Sequence, residues 1–547
     1  MKVNSFKTVF SLFCFFLLVS CNNDKIQLPE PQYNPGIAIL QGKIINYNSS
    51  DNLEVKIGIP NIILSMERIS LDIQEDGSFS QEISLQYAMQ IGLAIGEQQQ
   101  YIFMQPEDTV SYIEIDLQAG EKEQQFIYKG TYAELNRDFN HRLKSKKLPY
   151  HMDDELMKEL YGMSPLEFRD FCMKDIKEVI SYNNKRKDAC RDAKELANRS
   201  YAMDVLESLK YPKYAQQCGA MLIEGISREA SFARYDDYSL PEGYYDVLTE
   251  FPLNDPFSIY CFNFSHSIPI LNDFILKEDA TSGIQFIETH APITEEEQEL
   301  INDYKQNYYS GFSRFNELMT VAMKYEEVRA KHLQIMFEET TTRLAAIYGD
   351  STLPIFEYMK AAFARTTFRD LKPLTTEQEL YYSSLTNPIC IGVLEEINAQ
   401  MKPRKKDNIA KHIICDNPNV PKDEILNEII RKQKGKVILI DLWATWCAGC
   451  RITIKEFEPL KSDFNKDEVA FVYLTNESSP EVLWKKLIPE MEGYHYRLNN
   501  EFWDYFWKRF DMIGVPLYII IDKEGNVKEH FITGTKNDLK QKIEKLI

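Results

Sequence analysis

"VILIDLWATWCAGCRITIKEFEPL", residues 437–460, changes character halfway along. Val437–Leu442 is an apolar run of strand length, and from Arg451 onward apolar residues recur at helical spacing. Cys447 and Cys450 sit at the change, with only Ala448 and Gly449 between them. A cysteine there lies at the open end of a helix, where unpaired N–H groups and the positive dipole end stabilise an anion. A second cysteine three residues on lies about one turn below the first. Disulfide exchange needs both features: a reachable thiolate near neutral pH and a second thiol to resolve the mixed disulfide. Zinc binding is a rival reading, because His412-x-x-Cys415 precedes the pair and could complete four ligands, although the spacing is loose. Simple packing of two small side chains is the third.

Outward from this stretch, segment types alternate. Strands are expected at Val469–Leu474, Tyr494–Leu498, Leu517–Ile521 and Val527–Ile532, the last two flanking the turn sequence Lys523-Glu524-Gly525-Asn526. Helices are expected at Arg451–Phe464, Ser479–Met491, Glu501–Phe510 and Lys536–Ile547. Alternation of this kind predicts a layered α/β domain over residues 404–547. Its 24 basic and 23 acidic residues leave it near neutral, whereas the rest of the chain has 39 and 60 and is strongly acidic. With no basic cluster to track phosphates, the composition argues against nucleic-acid binding.

Residues 131–403 read as helical: "MDDELMKELYGMSPLEFRDFCMKDIKEVISY" spaces apolar residues by three and four, and "SPLEF" and "TTEQEL" carry helix-capping residues. Residues 36–130 hold short apolar-rich runs such as "SFSQEISL" and "QYIFMQ" between turn signals, which predicts a β-sandwich. The chain is thus expected to be multidomain: N-terminal β-sandwich, central all-α region, C-terminal α/β domain. Residues 21–35 are polar and Pro-rich and read as a tether. Before them, Lys2 and Lys7 precede an apolar run, Val9–Val19, of signal-peptide length. Leu18-Val19-Ser20-Cys21 resembles the lipobox of bacterial lipoproteins, which implies that residues 1–20 are removed and that Cys21 carries the lipid. Cys172, Cys190, Cys218, Cys261, Cys390 and Cys415 have no regular spacing and read mostly as buried free thiols in helical cores.

"DLWATWCAGCR", together with Gly514-Val515-Pro516 before a strand, resembles the thioredoxin superfamily, and within it the TlpA/ResA-type thiol–disulfide oxidoreductases of bacterial envelopes. The β-rich segment "GSFSQEISL…YIFMQPEDTVSYIEID…YKGTYAELN" is similar to the module fused to such domains in Bacteroidetes lipoproteins. The resemblance implies a C-terminal thioredoxin-like fold in which Cys447 is the attacking nucleophile and Cys450 the resolving thiol. It implies that Pro516 is the cis-proline beside the pair, and that Trp446 shields one side. Asp441 matches the buried acid that takes the proton from Cys450, and its apolar neighbours favour burial over a surface position. No cofactor is implied. Two features depart from the family pattern. Ala448-Gly449 stands where relatives commonly place Pro before the second Cys, and Pro516 comes 66 positions after Cys450, with the excess around Ser479–Leu498 fitting a TlpA/ResA-type insertion.

The expected function is thiol–disulfide exchange, in the reducing direction, on protein disulfides and thiols of the bacterial cell envelope. The expected protein is lipid-anchored to the membrane, periplasm-facing, and recharged by a membrane thiol donor of the DsbD/CcdA kind. The alternative is an envelope lipoprotein that binds a partner or ligand and in which the redox domain is regulatory or vestigial; about 400 residues outside that domain motivate it.

Overall fold

A computed structural model describes residues 28–547 apart from 49–52, 72, 97, 107–110, 117, 120–124, 144–147, 149–152, 276–281, 308–313, 369–371, 403–411, 480, 511, 513 and 533–535. The expected signal peptide and Cys21 lie outside the described residues. Among these residues, no helix is long and apolar enough to cross a membrane.

The N-terminal region is sheet-rich. Strands β1 (Gly36–Ile44), β4 (Ser78–Leu85), β7 (Ser111–Ile115) and β8 (Phe126–Lys129) form one four-stranded sheet, in the order β4-β1-β7-β8. Strands β2 (Val55–Asn61), β3 (Ser65–Ser70), β5 (Met89–Ile95) and β6 (Gln98–Met104) form a second, in the order β3-β2-β5-β6. Burial alternates along β1 and β7, as the period of two requires. Inward residues of both sheets, including Leu40, Ile57, Phe103 and Ile113, belong to one apolar cluster.

That cluster continues without a break into the helical region, through Phe168, Leu196, Phe264, Ile355 and Val393. Both capping sequences act as the sequence suggests. Ser164 and Glu167 form a reciprocal capping box at Pro165–Lys185, and Thr375 and Gln378 form another at Thr376–Tyr382. The single helical pattern around residue 160 is broken by Gly162, at φ +87°, into Asp154–Leu160 and Pro165–Lys185. At the far end of the expected tether, residues 28–34 lie against this body. Tyr260 donates its hydroxyl hydrogen to the Pro29 carbonyl at 2.6 Å, the Asn34 N–H donates to Gln86 O at 2.9 Å, and the Tyr33 ring packs over Gly392.

The C-terminal region is built on a six-stranded sheet ordered β14-β13-β10-β11-β12-β9. Its strands are β9 (His412–Cys415), β10 (Val437–Leu442), β11 (Val469–Asn476), β12 (Gly493–Leu498), β13 (Leu517–Ile521) and β14 (Val527–Phe531). β10, β11, β12 and β9 run parallel, while β13 is antiparallel to β10 and β14 to β13. All six residues of β10 are buried, because both faces of the sheet are covered. Ile438, Ile440 and Leu442 meet Ile425, Ile429, Phe502 and Phe506 from the helices Ile425–Lys432 and Asn500–Arg509. Val437 and Leu439 meet Phe457 and Leu539 from Ala448–Phe457 and Lys536–Glu544 on the other side.

Two expectations change in detail. The helix expected over Arg451–Phe464 begins at Ala448 and ends at Phe457, and a 3-10 segment, Glu458–Asp463, follows. Pro459 explains the change, since it has no N–H to continue the α-helical ladder. The segment His412–Cys415, weighed as half of a zinc site, is an edge strand. β11 and β12 stand between it and β10, about 14 Å at the usual strand spacing.

Candidate active site

Cys447 is the N-cap of the helix Ala448–Phe457, and its sulfur accepts the Cys450 N–H at 3.1 Å. The two cysteines are joined in a disulfide. Cys450 is fully buried, above Trp443, Ile454, Tyr473 and Trp484, whereas Cys447 is half-buried. Only the first cysteine therefore reaches the surface. Once the bond opens, its anion meets the helix N-terminus and the Cys450 N–H, both of which stabilise it.

Two further predicted residues are neighbours of this centre, Pro516 through the preceding Val515 and Trp446 along the chain. The Val515–Pro516 peptide bond is cis, and the Val515 carbonyl oxygen lies 3.6 Å from the Cys447 sulfur. Trp446 is 52% exposed, and its indole N–H donates to Ser478 Oγ at 3.0 Å.

Asp441 is 4% exposed, on the face of β10 that the Cys447 helix covers. Burial pushes its carboxyl up to about 8, and a nearby lysine, Lys461, pulls the other way. Its Oδ1 has no hydrogen-bond partner among the described residues. Such a group is neutral at pH 7 and ready to take or give a proton close to that range.

The surroundings of Asp441 are polar in a way the sequence did not announce. Its partner across the sheet is Tyr473, whose own partner is His495. The His495 ring stacks on Tyr473 at 4.9 Å and stays neutral, held down to about 4 by burial, while its Nε2 lies 2.9 Å from the Met491 carbonyl. The Lys461 ammonium lies 4.7 Å from the Tyr473 ring centre and donates to Glu458 Oε2 at 2.5 Å and to the Glu492 carbonyl. Burial holds Lys461 below its ordinary range. In sequence Lys461 looks like any surface lysine after a proline; the one available signal was its spacing of three from Glu458.

The other cysteines among the described residues are not part of this centre. Cys172, Cys218, Cys261 and Cys390 are buried free thiols, and Cys190 and Cys415 are half-buried. Burial raises the thiol pKa of Cys172, Cys261 and Cys390, which suits inert packing rather than exchange.

A half-buried cysteine at a helix N-terminus, a buried second cysteine bonded to it and a cis-proline on an α/β sheet define a class: thioredoxin-like thiol–disulfide oxidoreductases. The sequence comparisons agree. A thioredoxin-like family model matches residues 435–527. Thioredoxin-like protein YneN of Bacillus subtilis is 27% identical over 125 residues, which cover 21% of this chain and 68% of that protein. Thiol-disulfide oxidoreductase ResA of Geobacillus thermodenitrificans is 28% identical over 115 residues, 21% of this chain and 64% of that protein. This chain therefore spans about two thirds of the length of these relatives. Among solved structures, the thioredoxin domain of a thiol-disulfide oxidoreductase from Bacteroides vulgatus aligns at 23% identity and a TM-score of 0.19, covering 21% of this chain and 82% of that one. The C-terminal domain is a member of the thioredoxin superfamily, of the thiol–disulfide oxidoreductase type.

Proposed function

We propose that this chain reduces disulfides of bacterial cell-envelope proteins through Cys447 and Cys450. The observation that carries the reading is the setting of Cys447: helix N-cap, sulfur hydrogen-bonded by the Cys450 N–H, and the Val515 carbonyl 3.6 Å away. In the dithiol form, the Cys447 thiolate attacks one sulfur of a substrate disulfide. A mixed disulfide forms and the first substrate thiolate leaves. Asp441, in the ionised form that grows in as pH rises toward 8, takes the proton of Cys450, whose sulfur then attacks Cys447 and expels the second substrate thiolate. Two electrons pass to the substrate, and the protein ends as the Cys447–Cys450 disulfide. Pro516 and the adjoining backbone border the substrate's approach, and Trp446 covers one side of it. A membrane dithiol donor of the DsbD/CcdA kind returns the two electrons.

We read the two N-terminal sheets as the layers of a β-sandwich, residues 1–20 as a removed signal peptide, and Cys21 as the lipid-bearing residue that holds the protein to the membrane on its periplasmic side. The support is the charged start, short apolar run and Leu-Val-Ser-Cys sequence. The test is insulin reduction by the full-length protein. Cys447→Ser is expected to abolish it, and Cys450→Ser to leave substrates trapped as mixed disulfides on Cys447. Undiminished reduction by Cys447→Ser would overturn the assignment.

A further inference from the structure

The turn after β11 grips the loop that carries Cys447. Ser479 Oγ accepts the Thr445 N–H at 3.0 Å and shares a hydrogen bond with Thr475 Oγ1 at 2.6 Å. Ser478 Oγ accepts the Trp446 indole N–H and donates its own hydrogen to Asn476 Oδ1 at 2.6 Å. The Ser478 hydroxyl hydrogen is thereby committed, which leaves a lone pair directed at the indole. Both serines are buried. Arg497 ties the turn to β12, donating from Nε to Ser479 O at 2.8 Å and from Nη2 to Glu477 O at 3.2 Å. Ser479 thus holds backbone one residue before Trp446, and Ser478 holds the Trp446 side chain itself.

The consequence concerns an apolar ring kept in solvent. A half-exposed tryptophan one residue before the reactive cysteine would gain by folding onto the surface and burying more area. The bond to a buried, fully committed hydroxyl keeps it standing. We infer that Ser478 is a positioning residue: by fixing the indole plane, it makes Trp446 a rigid plate against which the polypeptide flanking a substrate disulfide packs. It thereby selects protein disulfides over small ones. The inference rests on the reductase reading above. A plate of fixed orientation contributes to substrate binding without touching the exchanging sulfurs, so its loss falls on KM.

The experiment uses the full-length protein with two probes, insulin and hydroxyethyl disulfide. Ser478→Ala is expected to raise KM for insulin about fivefold, the scale of one hydrogen bond, while its kcat changes less than twofold. For hydroxyethyl disulfide, kcat/KM is expected to change less than twofold. Ser478→Thr, which retains the acceptor, is expected to restore the insulin KM. Trp446→Phe, which retains an apolar ring but lacks the N–H, is expected to raise the insulin KM as well, and adding Ser478→Ala to it to raise that KM no further. An equal loss on both disulfides, an unchanged insulin KM, or additive effects of the two substitutions would overturn the inference while leaving the reductase reading intact. A parent protein inert toward both probes would overturn the reductase reading itself, and the inference with it.

Discussion

At the scale of single residues, the role proposed for Asp441 would couple catalysis to stability. Its carboxyl titrates at about 8 in the folded chain, against an ordinary value near 4 in the unfolded one. Between those values the folded state keeps a proton that the unfolded state has lost, so stability falls as pH rises from about 4 to about 8. Asp441→Asn removes that slope. In denaturant titrations at pH 5, 7 and 9, the variant is expected to gain on the parent as pH rises, by a few kcal/mol at about pH 9. It is also expected to slow resolution of mixed disulfides about tenfold or more and to flatten the rise of that step through pH 7–8; a variant with the parent's pH profile would remove Asp441 from the mechanism. Lys461 opposes the upward push that burial gives this carboxyl. Lys461→Met is therefore expected to move the same pH inflection toward alkaline values, and an inflection that stays put or moves toward acid would show that the two charges do not interact. Asp441 was legible because "VILIDLW" leaves a lone carboxylate among apolar residues. Lys461, Tyr473, Ser478 and Ser479 were not, because their residue types are ordinary on surfaces and only the folded packing buries them.

At the scale of elements, the first turn of Ala448–Phe457 is the weak part of the site. Gly449 occupies it with a helical neighbour on each side, and an added Cβ there would meet no atom within 4 Å. Glycine within a helix costs about 0.5–1 kcal/mol relative to alanine. Gly449→Ala is expected to stabilise the disulfide form by about that amount, read from the urea midpoint at constant m-value; a lower midpoint would mean that the turn needs glycine for a reason other than space. Most C-terminal elements were legible to within about two residues because period and turn chemistry agree there. Leu517–Ile521 matches its expectation at both ends, and the Lys523–Asn526 turn joins it to β14. β8 and β9 were not recognised as strands. Each is only four residues long and owes its form to pairing, with β7 in one case and β12 in the other. The order of β12 and β9 at the sheet edge was likewise unreadable, since sequence period reports faces and not neighbours.

At the scale of the whole molecule, the way the cores divide differs from the way the segments divide. Sequence separates a β segment at 36–130 from a helical one at 131–403, since the period changes there. In the structure, one apolar cluster runs from Leu28 to Ile397, whereas the C-terminal clusters draw their buried members from Ile425 onward. Hydrogen bonds cross the 130 boundary as well. β6 is an edge strand, and the helix Ala133–His141 covers that edge. Asn136 Oδ1 accepts the Phe103 N–H at 2.7 Å, and Asn140 exchanges hydrogen bonds with Tyr101 N and O at 2.8 and 2.7 Å. Two asparagines one helical turn apart thus replace the missing neighbouring strand. On the sheet face, a Cβ at Gly92 would lie 2.8 Å from the Phe262 ring, so the helical part fits the sheet closely. Removing residues 131–403 would expose that face and leave the edge unpaired, a recipe for aggregation. A fragment of residues 36–130 is therefore expected not to fold alone, while 28–402 and 404–547 are each expected to give a single cooperative thermal transition by circular dichroism. The 404–547 fragment should also keep the parent's activity toward hydroxyethyl disulfide. A cooperative melt from 36–130 would show that the sheets form an autonomous module and that the shared core is only a contact between finished domains.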